Sequence, residues 1–186
     1  MKYLLDIILL IFILPISIIV LPIISILILI LDSKPIIYSQ YRVGLNGKEF
    51  RLYKFRTMTE SSDESIHEDH YKNLSLNKNI HPSLSPDDPI RIENDDRITN
   101  IGSFLRKTSL DELPNIINVL FRQMSFVGPR PLVKYESDLY GEYLESRNSI
   151  KPGITGLAQI QGRLDLSLQE RLYWDLIYVE KKSFIY

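Results

Sequence analysis

Ser109-Leu110-Asp111-Glu112-Leu113-Pro114-Asn115 sets two adjacent carboxylates between a basic pair, Arg106-Lys107, and an apolar run at 116–121. Proline is best tolerated in the first turn of a helix, so the spacing predicts a helix from Asn115 onward. Asp111 and Glu112 then fall at its positive N-terminal end, where carboxylates stay ionised. An ionised Asp is a nucleophile for phosphorus, and an adjacent Glu can hold a divalent cation that neutralises phosphate oxygens. The same residues carry a plainer reading: Ser109 and Glu112 have the Ser-x-x-Glu spacing of a capping box, which by itself only starts a helix.

Upstream, residues 36–40 and 50–58 read as strands, and Gly44-Leu45-Asn46-Gly47 supplies turn chemistry, so residues 38–58 are expected to form a hairpin-like unit. Alternation puts Leu52, Lys54 and Arg56 on one face. Two cations facing inward are expensive without an anionic partner, which makes this strand a candidate phosphate contact. Residues 59–96 change character, with ten acidic residues against Lys72, Lys78 and Arg91. This stretch is expected to be an exposed insertion. Its His67-x-x-His70 pair is read as part of a solvated loop and not as a metal site, since no fourth ligand is indicated.

Residues 7–31 carry no charge over 25 positions and are bounded by Asp6 and Asp32. A helix of that length measures about 38 Å against a hydrocarbon core of about 30 Å, long enough to span with tilt. No small-residue cleavage site follows, which argues against a removed signal peptide. Pro15 and Pro22 each remove a backbone hydrogen bond, so a bent, re-entrant helix competes with a straight span. Lys34, Arg42, Lys48, Arg51, Lys54 and Arg56 follow closely, whereas only Lys2 precedes, which predicts a cytoplasmic remainder. The chain thus divides into a membrane-embedded helix, 1–33, and a cytoplasmic domain, 34–186.

The 186 residues suit a single domain, and the formal net charge of −1 gives no electrostatic basis for nucleic-acid binding. With no Cys, disulfides and thiolate metal sites are excluded. Further along, Ile98, Ile101, Phe104 and Leu105 recur at helical spacing. Met124-Ser125-Phe126-Val127 reads as a short strand running into Gly128-Pro129-Arg130-Pro131, where two prolines hold Arg130 stiffly, as bidentate phosphate binding requires. A helix is expected over 138–147, then a Gly-rich loop, a short strand and Arg163, and a closing helix over 166–180. In that last helix Tyr173, Trp174 and Tyr178 suit either the core or a membrane interface.

Taken in order, Arg42-Val-Gly-Leu-Asn-Gly47, Tyr53-Lys-Phe-Arg-Thr-Met58, Asp96-Arg-Ile-Thr99, Arg106-Lys-Thr-Ser-Leu-Asp-Glu-Leu-Pro114, Met124-Ser-Phe-Val-Gly-Pro-Arg-Pro131 and Lys151-Pro-Gly-Ile-Thr-Gly-Leu-Ala-Gln159 resemble the bacterial sugar transferase family, the monotopic polyprenyl-phosphate phosphoglycosyl transferases. The resemblance covers nearly the whole chain. It implies a small mixed α/β (α+β) catalytic domain with an N-terminal re-entrant membrane helix, both ends cytoplasmic, at the bacterial inner membrane. It also implies transfer of a sugar phosphate from a nucleotide diphosphate sugar, usually a UDP-sugar, to undecaprenyl phosphate with Mg²⁺. Asp111 matches the family's nucleophile, Glu112 its metal-holding residue, and Lys54, Arg106, Arg130 and Arg163 its basic phosphate contacts. The partners expected are the nucleotide sugar, the lipid phosphate, the bilayer and, as a candidate, a second copy of the chain; nucleic acid is not among them.

Three departures from the family pattern stand out. The usual Ser-Pro of the membrane helix is replaced by Leu21-Pro22, with Pro15 a further candidate for the bend. Phe121-Arg122-Gln123 occupies the place of a common Gly-acid pair, so the turn before the strand is expected to be altered. The family usually continues past Ser183-Phe-Ile-Tyr186 into more surface helix, which leaves room for a catalytically impaired, membrane-anchored nucleotide-sugar binding or scaffold protein of the same fold.

Overall fold

Alternation along residues 50–54 turns Phe50, Leu52 and Lys54 to one side and leaves Arg51 exposed on the other. In the computed structural model, which describes residues 2–32, 34–59, 95–162 and 165–181, this segment is strand β2 (Glu49–Phe55). It pairs antiparallel with β1 (Ile37–Val43), from Ile37 opposite Phe55 to Val43 opposite Glu49. The turn between them is a short 3₁₀ segment in which Asn46 and Gly47 take φ of +53° and +76°, the left-handed conformation those two residue types adopt most easily. The expected hairpin is therefore present.

Helix α1 (Lys2–Leu31) runs without interruption through Pro15 and Pro22, so the expected turn at one of these prolines does not end the helix. Ser17 and Ser25, just beyond the prolines, donate their hydroxyls to the carbonyls of Ile13 and Leu21 at 2.8 and 2.7 Å, back-bonds that bend helices without breaking them. One face of α1 is docked along its length. Leu9, Leu10, Ile13 and Leu14 pack on a core of Phe50, Leu52, Ile116, Val119, Met124 and Phe126, while Val20, Leu21, Ile24 and Ile28 meet Phe55 and Leu105. The opposite face is apolar as well, and Ile11, Phe12, Ile16, Ile18, Ile19, Ile26 and Ile30 are all more than half exposed. Among the described residues α1 is the one helix long and apolar enough to cross a membrane.

Both ends of α1 are tied by polar contacts. The buried carboxylate of Asp6 accepts from Ser125 Oγ at 2.9 Å and from the Phe126 amide at 3.0 Å. At the other end Arg56 donates to the carbonyls of Lys34, at 2.7 Å, and of Asp32, and the Thr99 hydroxyl donates to the Asp32 carboxylate. Arg56 thus directs its guanidinium to backbone carbonyl oxygens just beyond the end of α1.

Helix α2 (Asn100–Thr108) is capped by Thr99, whose hydroxyl accepts from the Gly102 amide at 3.0 Å. Gly102 is needed there because a Cβ would lie 2.1 Å from the Thr57 carbonyl oxygen. A 3₁₀ helix (Leu110–Asn115) then leads into α3 (Ile116–Leu120), and Arg122 closes the following turn at φ +60° with its guanidinium over the Tyr3 ring. The altered turn expected at 121–123 is this left-handed arginine. Strand β3 (Ser125–Val127) pairs in parallel with β4 (Gly153–Thr155), the strand lying inside the Gly-rich stretch.

The helix expected over 138–147 is two short ones, α4 (Lys134–Asp138) and α5 (Tyr143–Asn148), because Gly141 between them takes φ +51°. With α7 (Leu168–Lys181), against which α6 (Leu157–Gln161) packs, they enclose a second core of Leu132, Tyr140, Leu168 and Leu172. Tyr178 is buried and donates to the Val127 carbonyl at 3.2 Å, whereas Tyr173 is 44% exposed. The architecture is mixed helix and sheet, as expected. Arg163, the His67 and His70 pair with most of the acidic stretch, and residues 182–186 lie outside the described residues.

Candidate active site

Three residues per turn put Leu110 and Leu113 on one face of the 3₁₀ helix, and that face packs against the C-terminal half of α1. Asp111 and Glu112 are thereby turned toward β2. Glu112 Oε1 accepts from Lys54 Nζ at 2.5 Å and from Arg130 Nη1 at 3.1 Å, and Lys54 Nζ lies 3.9 Å from Asp111 Oδ2. The inward cation of β2 has its anionic partner here. Ser109 sits at φ +60° and makes no side-chain capping bond, so the capping-box reading of Ser109 and Glu112 fails: the carboxylate is taken by two cations.

Arg130 is held by its loop. The Gly153 amide donates to the Pro129 carbonyl at 2.8 Å, Arg147 Nη2 to the Arg130 carbonyl at 2.6 Å and Arg42 Nη1 to the Pro131 carbonyl at 3.4 Å. The side chains of Lys54, Asp111 and Glu112 are 14, 13 and 17% exposed, and that of Arg130 30%, which makes Arg130 the most open of the four. Arg106 reaches the same neighbourhood from the last turn of α2, its Nε donating to Thr57 Oγ1 at 2.9 Å. Of the basic residues expected at the site, Lys54, Arg106 and Arg130 converge on the two carboxylates, and Arg163 falls outside the described residues.

The two carboxylates differ electrostatically. Burial alone would raise the Glu112 carboxyl, but Lys54 and Arg130 outweigh it and hold the group at about 2. At Asp111 burial prevails over Lys54, Arg130 and Arg106, with the Glu112 charge adding to it, so its pKa lies above the ordinary value. A carboxylate kept firmly ionised is thus found at Glu112 and opposed at Asp111. Burial also pushes Lys54 down against the pull of Glu112.

Among the described residues no three His, Asp or Glu side chains group together, so no all-protein metal cage exists there. Mg²⁺ needs less than a cage, since it is commonly held by one or two carboxylates with waters and substrate phosphates completing six positions. Glu112 lines a cleft with Arg42, Lys54, Arg130 and Asn115, and the Asn115 Oδ1 is buried without a hydrogen-bond partner. An ionised carboxylate and an unused amide oxygen lining one cleft are donors of the type Mg²⁺ takes.

Several residues at or behind the site carry no expectation from sequence alone. Asn115 is marked only by following Pro114, and Arg147 and Asp175 belong to segments read simply as helical. Asp6 had one signal, a charge at the edge of an apolar run, where ionisable groups are costly unless paired.

The bacterial sugar transferase family model matches residues 1–186. The chain belongs to the bacterial sugar transferase family. Among curated members it is 44% identical to the undecaprenyl-phosphate galactose phosphotransferase of Salmonella typhimurium, over 80% of this chain and 30% of that one. It is 39% identical to the exopolysaccharide production protein ExoY of Sinorhizobium fredii, over 83% and 66% of the two chains. It is likewise 39% identical to the UDP-glucose:undecaprenyl-phosphate glucose-1-phosphate transferase of Klebsiella pneumoniae, over 78% and 28%. This bacterial sugar transferase chain therefore spans about a third of the length of the Salmonella and Klebsiella relatives.

Proposed function

We propose that the protein is a phosphoglycosyl transferase that moves a sugar phosphate from a nucleotide diphosphate sugar, a UDP-sugar, to undecaprenyl phosphate. The observation that carries this reading is the Asp111 carboxylate standing beside Lys54 and the Lys54–Glu112–Arg130 ion-pair network, on a segment seated on α1. Asp111 Oδ2 attacks the sugar-bearing phosphorus, forming an acyl phosphate as the phosphoanhydride bond breaks and the nucleoside monophosphate leaves. An oxygen of the lipid phosphate then attacks the same phosphorus, the acyl-phosphate bond breaks, and the Asp111 carboxylate is regenerated. One phosphoanhydride replaces another, so the exchange needs no further energy source. Arg130 and Lys54 offset charge on the transferring phosphoryl oxygens, with Arg106 and Arg163 as further contacts. Glu112 and Asn115 would hold Mg²⁺, which when bound neutralises diphosphate oxygens.

The same reading seats the protein on the cytoplasmic face of the inner membrane. Both ends of α1 bond to the catalytic domain, at Ser125 and at Thr99, which supports a monotopic arrangement over a helix that crosses to the far side. The exposed apolar face of α1 is then the lipid-facing surface. The test is incubation of the purified protein with undecaprenyl phosphate, Mg²⁺ and a panel of nucleotide sugars, following nucleoside monophosphate release. Release that depends on the lipid phosphate is expected. Nucleotide-sugar binding without release would assign a binding or scaffold protein of the same fold.

A further inference from the structure

Behind the Arg130 loop lies a charge pair that the phosphate chemistry above does not use. Arg147 of α5 and Asp175 of α7 have side chains each 1% exposed, with Asp175 Oδ2 accepting from Nη2 at 2.8 Å and from Nε at 2.9 Å. Arg147 Nη1 donates to Asn148 Oδ1 at 3.4 Å, and the guanidinium lies 5.3 Å from the centre of the buried Tyr140 ring. A buried ion pair adds little net stability over apolar groups of the same volume. What this pair does add is direction, because Arg147 Nη2 also donates to the Arg130 carbonyl at 2.6 Å, and the Arg130 guanidinium in turn holds Glu112 at 3.1 Å.

The backbone explains why such a bond is needed. Pro129 and Pro131 fix their own φ angles, and Pro131 confines Arg130 to extended ψ, but within that range neither constraint pins the direction of the Arg130 carbonyl. A single donor on that oxygen does. A planar fork serves a carboxylate and a carbonyl together in one fixed geometry, and a neutralised one adds no unbalanced charge beside Arg130. Arg147 paired with Asp175 meets both conditions.

We propose that Arg147 and Asp175 are positioning residues that aim Arg130 at the substrate phosphate, so that α7 takes part in the active site without touching it. The inference rests on the reading of Arg130 as a phosphate contact. Its test compares wild type, Arg147→Met/Asp175→Leu and Arg147→Lys, each with and without Arg130→Met. The doubly apolar variant should melt within a few degrees of wild type, yet KM for the nucleotide sugar should rise about tenfold; in the Arg130→Met background the same change should cost less than about twofold. Arg147→Lys, which keeps the charge on Asp175 but lacks the fork, should raise KM in the same selective way, and it carries the decision where the doubly apolar chain does not fold. A readout that needs no substrate is hydrogen exchange of the Arg130 guanidinium by NMR, assigned by its loss in Arg130→Met: it should be protected in wild type and quickened in both Arg147 variants. Equal cost in the two backgrounds, or Arg130 exchange unchanged by the substitutions, would overturn the proposal. A wild type that protects Arg130 but neither binds nor turns over a nucleotide sugar would instead overturn the phosphotransfer reading.

Discussion

Asp111 and Glu112 are neighbours in sequence with opposite electrostatic settings, and on the proposed mechanism that difference makes their roles separately testable. The nucleophile must be ionised to attack, and burial holds Asp111 above the ordinary carboxylate value while Glu112 sits at about 2. The acid limb of kcat/KM should therefore report Asp111, with activity falling as pH drops through its raised pKa and Glu112 still ionised. Because Lys54 lowers the Asp111 pKa, Lys54→Met should move the limb to higher pH, measured as a pH–rate profile of the residual activity; a limb that stays in place assigns the ionisation elsewhere. Asp111→Asn keeps the volume but forms no acyl phosphate, so turnover should fall on the order of 10⁴-fold or more with the melting curve nearly unchanged. Wild type given nucleotide sugar without lipid should carry a sugar phosphate on Asp111 by mass spectrometry, and the variant should not. Glu112 adds a stability test: its depressed pKa contributes stability above the unfolded value of about 4.3 that is lost as pH falls toward about 2. The gap in urea midpoint between wild type and Glu112→Gln should accordingly narrow between pH 5 and pH 3.

At the scale of elements, the parallel pair of β3 and β4 sets where the Arg130 loop begins. A Cβ at Gly153 would lie 2.1 Å from the Gly128 amide nitrogen and 2.4 Å from the Thr155 carbonyl, both backbone atoms that cannot step aside. Gly153→Ala should therefore shift the 128–131 loop and lower kcat/KM by about tenfold or more, while Gly47→Ala, which meets nothing within 4 Å, should leave activity unchanged and reduce stability by only about 1 kcal/mol through its φ of +76°. Activity retained in Gly153→Ala would mean that the loop is not placed by this pairing. The hairpin and the Lys54 partner were legible in the chain because alternation, turn residues and an inward cation are local signals. The capping box was misleading for the opposite reason: whether Glu112 turns to Ser109 or to Lys54, which is 58 residues away, depends on tertiary contacts that spacing does not encode. The split at Gly141 was equally hidden, since a glycine within a helical pattern does not announce a left-handed φ.

For the whole molecule, the docking of α1 at both ends makes a prediction about topology. A Cys introduced at position 2, in a chain that has none of its own, should resist a membrane-impermeant thiol reagent in intact cells and react once the membrane is opened; labelling from outside would establish a spanning anchor and leave the phosphotransfer reading standing. Removing the Asp6 carboxylate with Asp6→Ala should loosen α1 from β3 and leave the Ser125 hydroxyl and Phe126 amide without their acceptor, a cost of about 1–3 kcal/mol read as a lower melting temperature in detergent. Asp6 also bears on how the protein is made. The donors that its carboxylate accepts from lie 119 and 120 positions further on, so at about 5–20 residues per second the apolar helix leaves the ribosome roughly 6–24 seconds before its anchoring strand exists. During that interval the Asp6 carboxylate, with Lys2 as its neighbouring counter-charge, sits at the start of a greasy segment without its β3 donors, a state that favours waiting at the headgroup layer over diving into the hydrocarbon. The apolar helix is thus made well before the strand that anchors it, and on the proposed reading that delay favours holding the nascent helix at the near side of the membrane.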